Sequence, residues 1–282
     1  MTDCRIVTLY SGSGGNSVYI RMADTAILID AGKSARRLCT ALKEIGSDIE
    51  KIRAIFVTHD HTDHVSALEM IAKKYNIPIH VIEDSARIFD RGEIKPIHSR
   101  LVRHTPVYNV EIGDNITVSS FVTPHDSLMS VGYRIEYRDG EETRLFGVAT
   151  DIGYVSDSIR EGLLGCEAVV LESNHDVDML KHGPYPEMLK RRILSKRGHL
   201  SNEDSAQLSA YLAANGTRAF MLAHLSEENN EPSLALETTE RAISDIGVKV
   251  FVADPEIPTE LILQSKGEAE HDRREIYNPW NS

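Results

Sequence analysis

The chain has 282 residues, of which 43 are Asp or Glu and 31 are Lys or Arg, so its formal net charge is −12. It also contains 12 histidines, and its 41% of hydrophobic residues is enough to build a buried core. The acidic balance excludes polyanion binding over the whole surface, because that binding depends on clustered Lys and Arg. Any nucleic-acid interface therefore has to be local.

The sequence carries no signal for a membrane or for export. No stretch approaches the roughly 20 uninterrupted apolar residues of a membrane-spanning helix, and the first residues lack the charged-then-apolar pattern of a signal peptide. We therefore expect a cytoplasmic protein without membrane contact. The spacing of Cys4, Cys39 and Cys166 favours neither a disulfide framework nor a CxxC zinc site.

Strands and helices are predicted along nearly the whole chain. Hydrophobic patterns predict strands at residues 6–10, 18–20, 26–29, 54–57, 79–82, 116–122, 131–137, 144–149, 168–171, 219–222, 248–252 and 261–263. They predict helices at 34–46, 66–75, 156–164, 186–196, 202–214 and 232–246. This mixture without a linker predicts one α/β domain over residues 1–265. Residues 266–282 are charged and patternless, as is typical of a mobile tail.

A cluster of ligand-type side chains directly follows the predicted strand at 54–57. His59, His61, Asp63 and His64 form the pattern HxHxDH. In an extended loop His59 and His61 project to the same side, and Asp63 and His64 follow as the chain turns into a helix. This spacing can supply two imidazoles to one metal ion and a carboxylate and an imidazole to a second. The alternative, a solvated histidine-rich loop, is disfavoured because chance rarely produces the pattern.

Three further donors each follow a predicted strand. They are His125, Asp151 and His224. Donors at the ends of several strands would share one rim of a sheet, where the carboxylate of Asp151 could bridge two ions. Taken alone, a histidine after a strand is more often a loop or core residue. Agreement with the HxHxDH cluster makes these three candidate ligands.

These residues together resemble the metallo-β-lactamase superfamily over nearly the whole chain. The segments that carry the resemblance are 11–16 (SGSGGN), 29–32 (IDAG) and the HxHxDH cluster, followed in order by His125, Asp151 and His224. Segments 171–176, 198–202 and 224–230 look like the YycJ/WalJ family, also called VicX. Members of that family are similar to ribonuclease Z and are regarded as DNA-processing exonucleases.

The resemblance implies an αββα sandwich with two divalent metal ions at the rim of its sheets. It places His59, His61 and His125 on one ion, Asp63, His64 and His224 on the other, and Asp151 between them. It also implies that His199 occupies the position of a second catalytic histidine, while His175 and His182 lie near the site without assigned roles. Sites of this composition accept zinc, manganese or iron, so the sequence does not choose the metals.

The chemistry of phosphodiester hydrolysis agrees with these roles. Two cations about 3.5–4 Å apart lower the pKa of a bridging water and bind the phosphate oxygens. Asp63 can orient that water, and His199 is a candidate acid for the departing alkoxide, because imidazole exchanges protons near neutral pH. The alternative for His199 is a turn residue before the helix at 202–214, for which Ser201 or Asn202 is a good cap.

Five cations stand close together just before His199. They are Lys190, Arg191, Arg192, Lys196 and Arg197. This basic segment, residues 190–197, is where an otherwise acidic chain could hold a polyanion. The alternative is an ordinary solvated helix face.

The sequence thus predicts a metal-dependent phosphodiesterase that acts on nucleic acid, with a DNA exonuclease as the first hypothesis. Only 72 residues lie between Asp151 and His224, too few for the cap domain of ribonuclease J, and no Gly/Pro-rich arm of the ribonuclease Z type is visible. Two alternatives stay open. One is a small-molecule hydrolase of cyclic phosphodiesters or thioesters, and the other is a regulatory protein with structural metals. The oligomeric state is not indicated.

Overall fold

Two seven-stranded sheets make up the centre of the molecule. The computed structural model describes residues 4–90, 95–243 and 247–263, so the predicted tail at 266–282 lies outside the described residues. The strands are β1 (Cys4–Tyr10), β2 (Ser17–Met22), β3 (Thr25–Ile29), β4 (Ile52–Phe56), β5 (Ile79–Ile82), β6 (Leu101–His104), β7 (Asn109–Ile112), β8 (Ile116–Thr123), β9 (Ser130–Asp139), β10 (Glu142–Ala149), β11 (Ala168–Glu172), β12 (Ala219–Ala223), β13 (Lys249–Val252) and β14 (Thr259–Leu263).

The helices connect these strands on the outside of the sheets. They are α1 (Ala35–Glu44), α2 (Thr62–Val65), α3 (Leu68–Lys74), α4 (Glu83–Asp90), α5 (Lys95–His98), α6 (Asp157–Leu163), α7 (Val177–His182), α8 (Glu187–Ile193), α9 (Asn202–Ala214) and α10 (Pro232–Ala242). Serines cap several of them, as in α1, where the Ser34 side chain accepts from the Arg37 N–H, and α9, where Ser201 accepts from the Asp204 N–H. No helix in the described part of the chain is long and apolar enough to cross a membrane.

The order of the strands gives each sheet an antiparallel and a parallel half. The first sheet runs β14-β1-β2-β3-β4-β5-β6, with parallel pairing from β3 to β6. The second runs β13-β12-β11-β10-β9-β8-β7, with parallel pairing from β10 to β13. The carboxyl ends of parallel strands share one edge, so the loops after β4, β10, β11 and β12 meet at the rims of their sheets.

Three apolar layers confirm the αββα architecture. The central layer joins the facing sides of both sheets, for example Ile6 and Ile20 of the first with Val131 and Tyr133 of the second. A second layer packs α1 and α3 on the outer side of the first sheet, and a third packs α6 and α9 on that of the second. Tyr133 also ties the sheets together, because its hydroxyl donates to the Val57 carbonyl at 2.6 Å.

The predicted helix at 66–75 is observed as α3, and the turn into a helix expected at Asp63 and His64 is the separate short helix α2. The structure has two helices here, α2 and α3, because the Ala67 N–H donates to the Ala31 carbonyl and the Ser66 hydroxyl to the Lys33 carbonyl. These bonds tie the chain to the loop after β3 and separate the two helices. The predicted helix at 232–246 ends at Ala242, and residues 244–246 lie outside the described ranges.

Five short elements were not predicted: α4, α5, β6, β7 and α7. The two strands lie at the edges of their sheets and are half-buried or exposed along their length. Their residues therefore do not show the continuous apolar pattern on which a strand prediction depends.

Candidate metal centre

The seven predicted metal ligands meet at the rim of the sandwich, together with Glu172 and His199. Their donor atoms fall into four overlapping groups, and within each group all of them lie within 4.8 Å of one another. The groups are His59, His61 and His125; Asp63, His64 and His224; His59, His64 and Asp151; and Asp151, Glu172, His199 and His224. Both triads implied by the resemblance are thus brought together, and Asp151 lies close to members of each.

The first triad is a tight arrangement of three imidazoles. The ring centroid of His59 lies 4.5 Å from that of His61 and 5.0 Å from that of His125, and the last two are 5.0 Å apart. The Nδ1 of His125 donates to the Gly198 carbonyl at 3.1 Å, which leaves its Nε2 as the lone-pair nitrogen. Burial lowers the pKa of both His59 and His125, so these rings are neutral and able to act as ligands.

The second triad is held from behind by Asp30. The Nδ1 of His64 lies 2.7 Å from Asp30 Oδ2, and the same carboxylate accepts from the N–H and the hydroxyl of Thr58 at 2.8 Å each. On the other side of the ring, His64 Nε2 lies 3.4 Å from Asp63 Oδ2 and 3.2 Å from Asp151 Oδ2. Asp30 therefore fixes the orientation of His64 toward the centre.

The IDAG segment explains this placement locally. The Gly32 N–H donates to the Asn16 carbonyl, and the Asn16 N–H donates to the Asp63 carbonyl. A Cβ on Gly32 would lie 2.0 Å from the Asp63 carbonyl oxygen, so only glycine permits this approach. The Asn16 side chain then donates to Asp63 Oδ2 at 3.1 Å, and the turn thereby positions a candidate ligand.

Three of the site carboxylates and imidazoles sit in strained backbone. Asp30, Asp151 and His224 have φ values of 61°, 59° and 58°, in the left-handed region that residues other than glycine seldom adopt. Asp30 and His224 directly follow the last residues of β3 and β12, and Asp151 lies two residues after the end of β10. Such strain concentrates at functional sites, where the surrounding contacts hold it in place.

Glu172 is a residue of the centre that the sequence patterns did not identify. Its side chain is fully buried, and its Oε1 accepts from the Nδ1 atoms of both His199 and His224 at 2.8 Å. Its Oε2 accepts from the N–H groups of Ile152 and Leu200 at 2.7 and 3.1 Å. Glu172 directly follows the predicted strand at 168–171, so the rule that found the other strand-end donors could have found it.

Buried carboxylates dominate the electrostatics of the centre. Burial lowers the pKa of His224, but the carboxylates of Asp151 and Glu172 outweigh it and raise that pKa to about 9. Burial likewise lowers the pKa of His64, and Asp151 and Asp30 hold it well above its usual value. Burial raises the pKa of Glu172, but His199 and His224 lower it to about 2. The rim is therefore a site of concentrated negative charge that favours bound cations.

Several buried atoms of the centre lack a hydrogen-bond partner in the part of the chain that the structure describes. His59 Nε2, His125 Nε2 and Asp151 Oδ2 are buried and find no hydrogen-bond partner among the described residues. A buried polar atom without a partner costs free energy, and a neutral imidazole or carboxylate in that state is a ready metal ligand. Together with the negative charge, these atoms show that the residues fit divalent metal ions.

His199 lies between the two sides of the centre. Its ring centroid is 5.1 Å from those of both His125 and His224, and its side chain is 17% exposed, whereas those of His125 and His224 are 1% and 6% exposed. Because its Nδ1 is bonded to Glu172, the Nε2 is the nitrogen left for other partners. The Ser201 side chain caps α9, so His199 itself is not the cap of that helix.

Part of the basic segment bonds to residues at the edge of the centre, and the rest does not. The Nε of Arg192 donates to Asp126 Oδ2, and the Nε of Arg197 donates to the His125 carbonyl at 3.2 Å. Lys190 instead donates to the Lys181 carbonyl at 2.7 Å, while Arg191 and Lys196 are exposed. The predicted helix at 186–196 is observed as the shorter α8, and Lys196 and Arg197 lie in the turn that follows it.

The two histidines without predicted roles differ in their surroundings. His175 is buried, neither ring nitrogen has a hydrogen-bond partner within the described ranges, and burial lowers its pKa to about 4. His182 is exposed at the end of α7, where its Nδ1 bonds to the Asp178 carbonyl at 2.9 Å. His182 is therefore a helix-end residue, whereas His175 is a buried ring whose backbone carbonyl accepts from the Asn202 N–H.

Comparison with known proteins agrees with this geometry. The family model of the beta-lactamase superfamily domain matches residues 25–225, and this range includes all the candidate ligands. The chain is 35% identical to the exodeoxyribonuclease YycJ of Bacillus anthracis, over 90% of this chain and 96% of that protein. The chain belongs to the YycJ/WalJ family of the metallo-β-lactamase superfamily.

Two further matches support the family and the fold. The exodeoxyribonuclease WalJ of Streptococcus pneumoniae serotype 2 is 34% identical over 90% of this chain and 95% of its own length. The crystal structure of Zn²⁺-bound PqqB from Methylobacterium extorquens superposes with a TM-score of 0.68, covering 93% of this chain and 100% of that one at 15% identity. The predicted family and the αββα metallo-β-lactamase fold are both confirmed.

Proposed function

We propose that the chain is a metal-dependent exodeoxyribonuclease that hydrolyses the phosphodiester bonds of DNA. The observation that carries the proposal is the pair formed by His199 and Glu172 beside two metal-binding triads. Such a pair supplies a positioned proton donor next to a centre that can hold two cations, as phosphodiester hydrolysis requires. The names of the relatives in Bacillus anthracis and Streptococcus pneumoniae support the choice of DNA as the substrate.

The two triads would each hold one divalent ion. His59, His61 and His125 form the first set, and Asp63, His64 and His224 form the second. Asp151 would contact both ions, since it lies near members of each set. When bound, the two ions lower the pKa of a water molecule and neutralise charge on the phosphate. The mixture of imidazoles and carboxylates suits zinc, manganese or iron.

Two residues of the chain would then handle protons. Glu172 accepts from the Nδ1 of His199, which fixes the tautomer and leaves His199 Nε2 to donate a proton to the departing sugar oxygen. Asp63 Oδ2 lies 3.4 Å from His64 Nε2 and 4.0 Å from His224 Nε2, so it can accept a hydrogen bond from the attacking water and orient it. Burial of Glu172 keeps this arrangement rigid.

The basic segment would hold the nucleic acid. Arg192 and Arg197 lie at the rim beside His125 and Asp126, where a DNA strand that enters the centre would pass. Arg191 and Lys196 are exposed and can bind phosphates farther along the strand. The Lys190 ammonium is bonded to the Lys181 carbonyl, so we assign it a smaller share of the binding.

The first experiment measures nucleotide release from end-labelled single-stranded and duplex DNA in the presence of manganese or zinc. Wild-type protein should release nucleotides, EDTA should abolish release, and Asp151→Ala should remove both bound metal and activity. Asp157→Ala is the matched control, because Asp157 is exposed on α6 and pairs only with Arg160 among its described contacts. Turnover of a cyclic phosphodiester or a thioester without DNA cleavage would favour the small-molecule alternative. Metal binding without any turnover would favour the regulatory one.

A second experiment tests His199. His199→Ala should lower kcat by about 10²–10⁴-fold, the usual contribution of a positioned acid or base, with its metal content unchanged. His98→Ala, an exposed histidine on α5, is the control and should match the wild type. Loss of metal from His199→Ala would show that His199 is a ligand instead of an acid.

A third experiment separates the cations of the basic segment. Replacing both Arg192 and Arg197 by alanine should raise KM for DNA and flatten its dependence on salt, since fewer phosphate contacts release fewer counterions. Lys190→Ala should change both quantities less. An unchanged salt slope in the double variant would assign the segment to an ordinary solvated surface.

A further inference from the structure

An exposed tyrosine lies beside the centre without a part in the mechanism above. Tyr154 follows Asp151 by three residues, on the loop that leaves β10, and is 45% exposed. The ammonium of Lys196 lies over its ring, 5.9 Å from the centroid. An exposed aromatic face next to a cation is the combination that proteins use to stack nucleobases and bind the attached phosphates.

The backbone fixes this pair in place. The Gly153 N–H donates to the Pro124 carbonyl at 2.7 Å, which links the loop of Tyr154 to the segment that carries His125. A Cβ on Gly153 would lie 2.2 Å from the Lys196 carbonyl oxygen, so the loop packs directly against the end of the basic segment. The neighbouring Arg197 donates to the His125 carbonyl. Tyr154 and Lys196 are therefore held together on the rim of the metal centre.

The short distance along the chain between Asp151 and Tyr154 places the tyrosine ring within reach of a bound DNA strand. Three residues span at most about 11 Å, so Tyr154 lies near Asp151, which is buried in the centre. Successive nucleotides of one strand are about 3.4 Å apart along a helix axis and farther apart when unstacked. A base within about three nucleotides of the bound phosphate can therefore meet the tyrosine ring.

We propose that Tyr154 and Lys196 form a subsite that stacks one unpaired nucleobase of the substrate close to the scissile phosphate. The inference rests on the proposed function and narrows its substrate to DNA with a single-stranded terminus, because only an unpaired base exposes its face to an aromatic ring. Tyr154 supplies the stacking surface, and Lys196 binds the phosphate of the same or the next nucleotide. The competing explanation is a surface cation–π pair that only stiffens the loop.

The test measures the affinity of metal-loaded protein for a fluorescent single-stranded oligonucleotide with nuclease-resistant phosphorothioate linkages. Tyr154→Ala should raise Kd by about 5- to 150-fold, the range for loss of one base–aromatic stack, while Tyr154→Phe should bind like the wild type. Tyr211→Ala is the matched control, because Tyr211 is 42% exposed on α9. The same affinities are then measured for oligonucleotides that each carry one abasic position. Wild type and Tyr154→Ala should have equal affinity for one of them, the one that lacks the stacked base.

The outcomes distinguish this subsite from the proposed function. In the first outcome, wild type degrades DNA, but Tyr154→Ala lowers the affinity for intact and abasic oligonucleotides equally or not at all. The proposed subsite is then wrong, whereas the nuclease function stands. If wild type releases no nucleotides but the base-dependent effect of Tyr154 persists, the subsite is a DNA-binding site and the nuclease function fails. Absence of any DNA binding by wild type overturns both. Thermal melting of Tyr154→Ala, expected to match wild type, excludes loss of folding as the cause.

Discussion

Two clusters of buried histidines in this molecule differ in the groups that surround them. Away from the metal centre, His80 stacks on Phe56 at 4.6 Å between ring centroids and its Nδ1 lies 2.9 Å from His104 Nε2. His104 in turn stacks on Tyr108 at 3.9 Å. Burial and the neighbouring His104 lower the pKa of His80 to about 4, and burial also lowers the pKa of His104. These rings are neutral packing residues.

At the centre, buried carboxylates reverse that effect. Burial again lowers the pKa of His64 and His224, but Asp151, Asp30 and Glu172 raise both above the usual value of histidine. Burial alone therefore makes a histidine neutral, and it is the set of carboxylates behind the imidazoles that makes one cluster attractive to cations. The comparison predicts that removing those carboxylates should damage the centre, whereas changing the ring stack should not.

The largest effect is expected from Glu172→Gln. The amide can no longer accept all the hydrogen bonds that Glu172 accepts from His199, His224 and two backbone N–H groups. We expect kcat for DNA hydrolysis to fall by about 10²-fold or more, because His199 loses its fixed tautomer, and metal affinity to fall by about 10- to 100-fold, because His224 loses its orienting partner. Steady-state kinetics and metal titration measure the two effects separately.

The control for this variant is Glu167→Gln. Glu167 precedes β11 at the opposite end of the strand from Glu172 and pairs with Arg144 and Arg218. It should retain kcat and metal affinity. Equal losses in the two variants would mean that Glu172 matters only as a buried carboxylate of the second sheet.

A smaller effect is expected from Asp30→Asn. This change removes the negative charge behind His64 but keeps the shape of the side chain. Metal affinity should fall by about 10- to 100-fold, as is usual when the partner of a ligating histidine is lost, while kcat at saturating metal should change little. Competition with a metal-binding dye measures the affinity. Asp48→Asn, which alters the cap of a short 3₁₀ turn, is the control, and an equal loss in it would contradict the role of Asp30.

The sequence could predict the candidate metal ligands but not the carboxylates behind them. The HxHxDH pattern and the strand ends identify the candidate ligands, because a rare local pattern and repeated placement after strands are visible in one dimension. Asp30 and Glu172 both lay in segments noted only for their resemblance to known families, and neither was given a role. The rule of donors after strands could have found Glu172, but only the fold shows that its carboxylate bonds to His199 and His224.

The same reasoning applies to the fold. Buried strands such as β5 and β11 were predicted within one residue of their observed ends, because both are buried along their whole length and consist mostly of apolar residues. The edge strands β6 and β7 were missed, since half-exposed residues give weak patterns. The contact of Tyr154 with Lys196 joins residues 42 positions apart, and no local pattern in the sequence indicates it.

The smallest effect is expected in the ring stack and depends on pH. The pKa of His80 in the folded protein, about 4, is below that of an unfolded histidine, about 6.5. Between these values the unfolded chain binds a proton that the folded chain does not, so His80 destabilises the protein as the pH falls from 6.5 toward 4. Above pH 6.5 both states are neutral and the group contributes no pH dependence.

His80→Phe should remove this contribution while keeping a ring stacked on Phe56. Relative to wild type, the variant should gain stability below pH 6.5 by up to about 1.4 kcal/mol per pH unit, the most that one proton can contribute. Denaturant unfolding of metal-stripped protein between pH 5 and 8 measures the difference without interference from metal release. Parallel pH profiles in the two proteins would show that His80 titrates alike in both states, and burial would then be too weak to explain why this cluster differs from the metal centre.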